Sequence, residues 1–207
     1  MGGIMYQIKK YTDLKVSSEC HSEFIDAAEK GNITIIRQCL DIGVSPDTNG
    51  PDGWPVLQKA VAGNHLETAY MLLNQGATVD SKNPDGHTAL MIASRYDYHD
   101  MIAWLLLYGA DLNIINNDGQ TALMIAATQG HTLSVGILLE ILSESASTEY
   151  TKHLIKAHQL ALQNGHDKVA KLLRAVATKT LLITEQVHMI AESRMRKRLR
   201  PSKTGAH

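Results

Sequence analysis

Phenylalanine occurs once in this 207-residue sequence, cysteine and tryptophan twice each, and all aromatic residues together make up 5% of it. Cys20 and Cys39 are isolated and form no Cys-x-x-Cys, which argues against a disulfide scaffold and for a reducing compartment. The longest apolar run, Met101 to Leu107, is about a third of the roughly 20 residues a membrane-spanning helix needs. Lys9 and Lys10 follow the first residues with no apolar stretch, unlike a signal peptide, and position six lacks the Ser/Thr of a myristoylation site. His-Glu-x-x-His, zinc-spaced cysteines, Gly-x-Ser-x-Gly and a phosphate-cradling glycine loop are all missing, so neither metal binding nor catalysis is expected. His153 and His158 are five apart, not the four that would stack them on one helix face.

What is present is 44% hydrophobic residue, mostly Leu, Ile, Ala, Val and Met, a balance that leans helical and suffices for a core. Lys plus Arg number 20 against 21 acids, but the balance is uneven. Residues 1–177 carry thirteen bases against nineteen acids, and residues 178–207 carry seven against two. An acidic body therefore precedes a basic tail.

The chain is periodic. Asp52-Gly53, Asp85-Gly86 and Asp118-Gly119 are 33 residues apart, as are Ala60, Ala93 and Ala126, and Gly43, Gly76 and Gly109. A fourth series of the same spacing reads Gly31, Asn64, Asp97, Gly130. Gly, Asn and Asp are the residues that most readily take the left-handed backbone closing a helix, so this position predicts a helix terminus in every unit. An apolar stretch precedes it and a second follows, ending at the Gly43 series. Each unit is thus helix, tight turn, helix, then a loop to the next Asp-Gly turn. Such a unit cannot bury its apolar faces alone, and stacking neighbours closes a continuous core. Thr88 and Thr121 stand where a hydroxyl caps the first helix, and Ala60, Ala93 and Ala126 permit close helix approach.

The stretches Asp85-Gly86-His87-Thr88-Ala89-Leu90 and Asp118-Gly119-Gln120-Thr121-Ala122-Leu123 resemble the ankyrin repeat's D-G-x-T-P-L opening. Leu105-Leu106-Leu107-Tyr108-Gly109-Ala110-Asp111-Leu112-Asn113 and Gly130-His131 resemble its later parts. Ala89 and Ala122 depart from the family's Pro, and Met91 and Met124 from its His. The resemblance implies an all-α solenoid with short β-hairpin loops in about five repeats, near 22–50, 51–83, 84–116, 117–149 and 150–177, the first and last degenerate. Residues 1–21 form an N-terminal arm, 22–177 the repeat domain, and 178–207 a C-terminal helix and basic tail. In the fourth unit Leu142 replaces the terminating glycine, so its second helix should run on through Glu140-Ile141-Leu142-Ser143, and a long helix should begin near Glu149.

The resemblance also implies a protein-binding face on the concave side, and a structural role for His65, His131 and His166 in fastening neighbouring loops. It places Trp54, His87 and Gln120 at hairpin tips and Glu29, Lys30, Arg95, Tyr96, Thr128 and Gln129 at first-helix ends, and these are the candidate binding residues. Trp54 reads equally as a binding residue and as a shield over the first inter-repeat joint. Trp104, inside the second helix of its unit, reads as core. Asn113, with Leu105 eight before it and Asp111 two before it, resembles an asparaginyl hydroxylation site, although the same residues are the repeat pattern itself. Arg194, Arg196, Lys197, Arg198, Arg200 and Lys203 fall within ten residues and suit nuclear import, nucleic acid or anionic lipid, or simply a solvated tail.

The reading that results is a monomeric, non-catalytic adaptor, scaffold or inhibitor in the cytoplasm. It binds another protein, without cofactor or small-molecule substrate. A bacterial effector acting in a host cell is compatible with it. The alternative is nucleic-acid or membrane contact through the tail.

Overall fold

Every residue of the fourth series has a positive φ: 71° at Gly31, 55° at Asn64, 59° at Asp97 and 79° at Gly130, with Gly165 at 74° closing the last unit two residues late. These reversals divide a computed structural model of the chain, which describes residues 18–142 and 148–178, into helical pairs. The first pair is α1 (Ser18–Lys30) and α2 (Ile33–Asp41), followed by α3 (Val56–Ala62) and α4 (Leu66–Asn74). Next come α5 (Ala89–Arg95) with α6 (His99–Leu107), and α7 (Ala122–Gln129) with α8 (Thr132–Leu142). A longer α9 (Thr148–Gln163) precedes helical residues 167–178, called α10. The expected long fifth-unit helix is therefore present. The continuation of α8 into Ser143, residues 1–17 of the expected N-terminal arm and the basic tail lie outside the described residues, and residues 18–21, assigned to that arm, belong instead to the first turn of α1.

Capping follows the sequence. Thr88 Oγ1 accepts from Met91 N at 3.4 Å and Thr121 Oγ1 from Met124 N at 3.3 Å, each satisfying an N–H the helix cannot. Pro55 stands at the same register in the second unit and offers no side-chain cap.

The core is periodic as well. Phe24, Leu57, Leu90 and Leu123 recur at intervals of 33 and are essentially inaccessible, so the one phenylalanine fills a leucine position. Cys39, Leu72, Leu105 and Leu138 form a second buried column. Each leucine or phenylalanine of these columns contributes roughly 1.5–3 kcal/mol. Ala60, Ala93 and Ala126 have no exposed surface, and α1, α3, α5, α7 and α9 pack in one row with α2, α4, α6 and α8 outside. Burial, and secondarily Glu23, pushes the Cys39 thiol up to about 11. Neither cysteine is in a disulfide.

Two expectations need correction. Among the described residues the loops contain a single β-bridge, Asn49 to Pro55, and no strand. In that loop Val56 N donates to the Thr48 carbonyl. One repeat later the buried Gln58 takes that place. Its Nε2 donates to the carbonyls of Ser81 (2.7 Å) and His87 (2.8 Å), so the side chain substitutes for the ladder bond. Trp104 is not core but half-buried on the outer row, its ring edge-on to Tyr70 (5.1 Å between centroids) and stacked near Tyr108 (6.3 Å). Its side chain lies beside Tyr70 of the neighbouring outer helix and beside Tyr108, and not in the buried column of Met101, Ile102 and Leu105.

Candidate protein-binding face

The inter-repeat joints are held by ring nitrogens. His65 Nε2 bonds the Glu29 carbonyl, His131 Nε2 the Arg95 carbonyl and His166 Nε2 the Thr128 carbonyl, each at 2.9 Å. These bonds fasten the last turn of each first helix to the next unit. The third repeat lacks one: Tyr98 stands where the ring should be, 33 residues after His65 and 33 before His131. Its ring stacks instead on Tyr96, with centroids 5.6 Å apart and planes 25° apart. Tyr96 itself is 54% exposed.

The neighbouring residues are equally atypical. Asp97 holds a left-handed position taken elsewhere by Gly or Asn, a conformation that disfavours a side chain by about 1 kcal/mol. Its carboxylate accepts from the Ser134 hydroxyl and lies 3.9 Å from His99 Nδ1 and 4.0 Å from His131 Nδ1. Arg95 ends α5, exposed, and its Nη2 meets His87 Nε2 at 3.0 Å. Asn116 Nδ2 meets the same nitrogen at 3.0 Å. Asn116 Oδ1 accepts from the backbone N–H groups of Asp118 and Gln120, which leaves its amide nitrogen facing the ring. Two donors thus converge on Nε2, and the imidazole is a neutral acceptor with its proton on Nδ1. Burial, and then the Arg95 charge, hold His87 below the usual imidazole range.

Towards the N-terminus, Trp54 is half-buried against the core, with the Lys59 ammonium 5.6 Å from its ring centroid. Lys59 also bonds Asp52 at 2.6 Å, a contact that lowers the carboxyl's pKa. The Trp54 ring is thus partly covered, with the Lys59 ammonium of its own repeat beside it. Glu29 borders a 670 Å³ groove with Asp52 and Lys59. Lys30 borders a different one and pairs with the exposed Asp26 at 3.6 Å, an ion pair that stabilises little. Towards the C-terminus, Thr128 spends its hydroxyl on the Met124 carbonyl, Gln129 is exposed, and Gln120 is half-buried at its loop. Asn113 is exposed, and its backbone N–H and Nδ2 both donate to Asp111 Oδ1. The structure therefore brings His87 and Arg95 into contact, with Tyr96 the next residue along the chain and stacked on Tyr98, while Glu29, Lys30 and Trp54 belong to the first two repeats. The basic tail residues Arg194 to Arg200 lie outside the described residues.

Four residues that matter here, Gln58, Asp97, Tyr98 and Asn116, escaped the sequence reading as site residues. Three had a signal: Gln58 is polar where Met91 and Met124 follow at 33-residue steps, Asp97 is the acid of its series, and Tyr98 breaks the histidine column. Among the described residues no group of three or more His, Cys, Asp or Glu could hold a metal ion, and no helix is long and apolar enough to cross a membrane.

The family model for ankyrin repeats, in three copies, matches residues 24–116 and 99–181, well over half of the chain. The chain belongs to the ankyrin-repeat family. No curated protein matches it. Ankyrin repeats are protein–protein interaction modules, typically without catalytic activity, and that coarse role comes with the family.

Proposed function

We propose that this ankyrin-repeat chain is a non-catalytic adaptor, scaffold or inhibitor that grips a partner protein on the face made by its loop tips and inner-helix ends. The supporting observation is the third repeat, where the scaffold gives up its fastening histidine for Tyr98 and presents Arg95 and Tyr96 to solvent on a braced backbone. Tyr and Arg are over-represented among binding hot spots, and a preformed scaffold limits the ordering cost of association. Trp54, Glu29 and Gln129 extend the same face as secondary contacts.

The test is affinity capture by wild type beside Trp54→Ala and an Arg95→Ala/Tyr96→Ala pair, with folding checked by circular dichroism. Loss of capture in the Arg95/Tyr96 variant is expected, and equal capture by all three would refute the face. Deleting residues 194–207 separates this reading from tail-mediated contact with nucleic acid or anionic lipid, because the proposed face should work without them.

A further inference from the structure

We infer that the third repeat recognises a single carboxylate of the partner through Arg95, with the Tyr96–Tyr98 ring pair as a platform for a flat side chain beside that carboxylate. The inference rests on the protein-binding reading above and adds the chemistry of the ligand.

Arg95 is a cation that the fold orients without neutralising. Its backbone carbonyl is held by His131 Nε2 at 2.9 Å, and its guanidinium by His87 Nε2 at 3.0 Å. Since Asn116 also donates to that nitrogen, His87 carries no charge and serves purely as a bracket. A guanidinium has five N–H donors in a planar fork suited to a carboxylate. One nitrogen is engaged here, and among the described residues no carboxylate lies within ion-pair distance of Arg95. The group is exposed, so a ligand reaches it.

The surroundings limit the charge of the ligand. Asp85 and Asp118, on the two flanking loops, both act electrostatically on His87. They repel a run of acids or a doubly charged phosphate more than one carboxylate. Tyr96 adds the second element, an exposed ring held flat against Tyr98, whose face accepts an aromatic or proline side chain. The preferred segment therefore carries one Asp or Glu next to an aromatic residue or proline.

A randomised twelve-residue peptide display library screened against the full chain tests this. The enriched peptides are then synthesised with their Asp/Glu intact, amidated to Asn/Gln, or replaced by phosphoserine. The expected result is a carboxylate beside an aromatic or proline residue, about tenfold weaker binding on amidation, and loss of the acid–amide difference in Arg95→Gln. Arg95→Lys should keep part of it. Enriched peptides without a carboxylate, equal binding of acid and amide forms, or tighter binding of the phosphoserine form would each overturn the inference. If such peptides still depend on Tyr96, the binding face stands and only the carboxylate assignment fails. If they respond to neither Arg95, Tyr96 nor Trp54 substitution, the face fails with it.

Discussion

Three glycine-to-alanine substitutions separate backbone strain from inter-repeat fastening. Gly165 has φ of 74° and a Cβ there would meet nothing within 4 Å, so Gly165→Ala isolates the left-handed conformation, about 1 kcal/mol. Gly130 has nearly the same backbone, φ 79°, but its Cβ would come within 2.5 Å of His166 Nδ1. The ring must move, and its 2.9 Å bond to the Thr128 carbonyl goes with it. Losing that bond adds about 1–3 kcal/mol, giving about 2–4 kcal/mol for Gly130→Ala. Gly136 lies inside α8 with open space around its Cβ. Alanine there should stabilise by about 1 kcal/mol through helix propensity. For a chain of this size each kcal/mol moves Tm by roughly 2–4 °C. Thermal and urea unfolding followed by circular dichroism should therefore rank Gly136→Ala above wild type, then Gly165→Ala, then Gly130→Ala. In a His166→Ala background the Gly130→Ala penalty should fall to that of Gly165→Ala, because the collision has gone. Equal penalties at Gly130 and Gly165 in the native background would refute the claim that the ring fastens the joint.

Other outcomes follow from the same geometry. Gln58→Met should destabilise by about 1–3 kcal/mol, since it removes the side-chain donor to the Ser81 carbonyl and one of the two donors to the His87 carbonyl, which keeps the Asn83 N–H; urea unfolding measures it. Cys39 should resist iodoacetamide in the folded chain and react only on unfolding, because its buried thiol titrates near 11; mass spectrometry of the Cys39 peptide decides. His87 is held below its ordinary 6.5 by burial, so the unfolded chain binds that proton first as pH falls. Its contribution to stability is intact above about pH 6.5 and declines below it. Wild type should lose more stability than His87→Gln between pH 7 and 5, and parallel profiles would contradict the neutral-acceptor assignment.

Much of the fold was legible because a solenoid repeats its instructions. The Gly31–Asn64–Asp97–Gly130 series marked the turns, since only residues tolerant of positive φ occupy it, and Thr88 and Thr121 marked the caps. These are local properties of the backbone, readable residue by residue. Periodicity could not say which side of an outer helix Trp104 faces, because that depends on how the rows pack. It also could not show that Gln58 replaces a hydrogen bond in the next loop, 23 and 29 residues away.

The candidate site divides in the same way. His87, Arg95 and Tyr96 were visible as residues excused from the repeat pattern. That His87 is a neutral bracket is a tertiary fact, since Arg95 and Asn116, 8 and 29 residues further along the chain, reach the same ring nitrogen. Spacing alone set the order of turns and helices, because each turn's backbone geometry is a short-range property. Stacking alone decided that His131 holds the Arg95 carbonyl and Asn116 the His87 ring, because those partners lie 36 and 29 residues apart in sequence and meet only when neighbouring units close on each other.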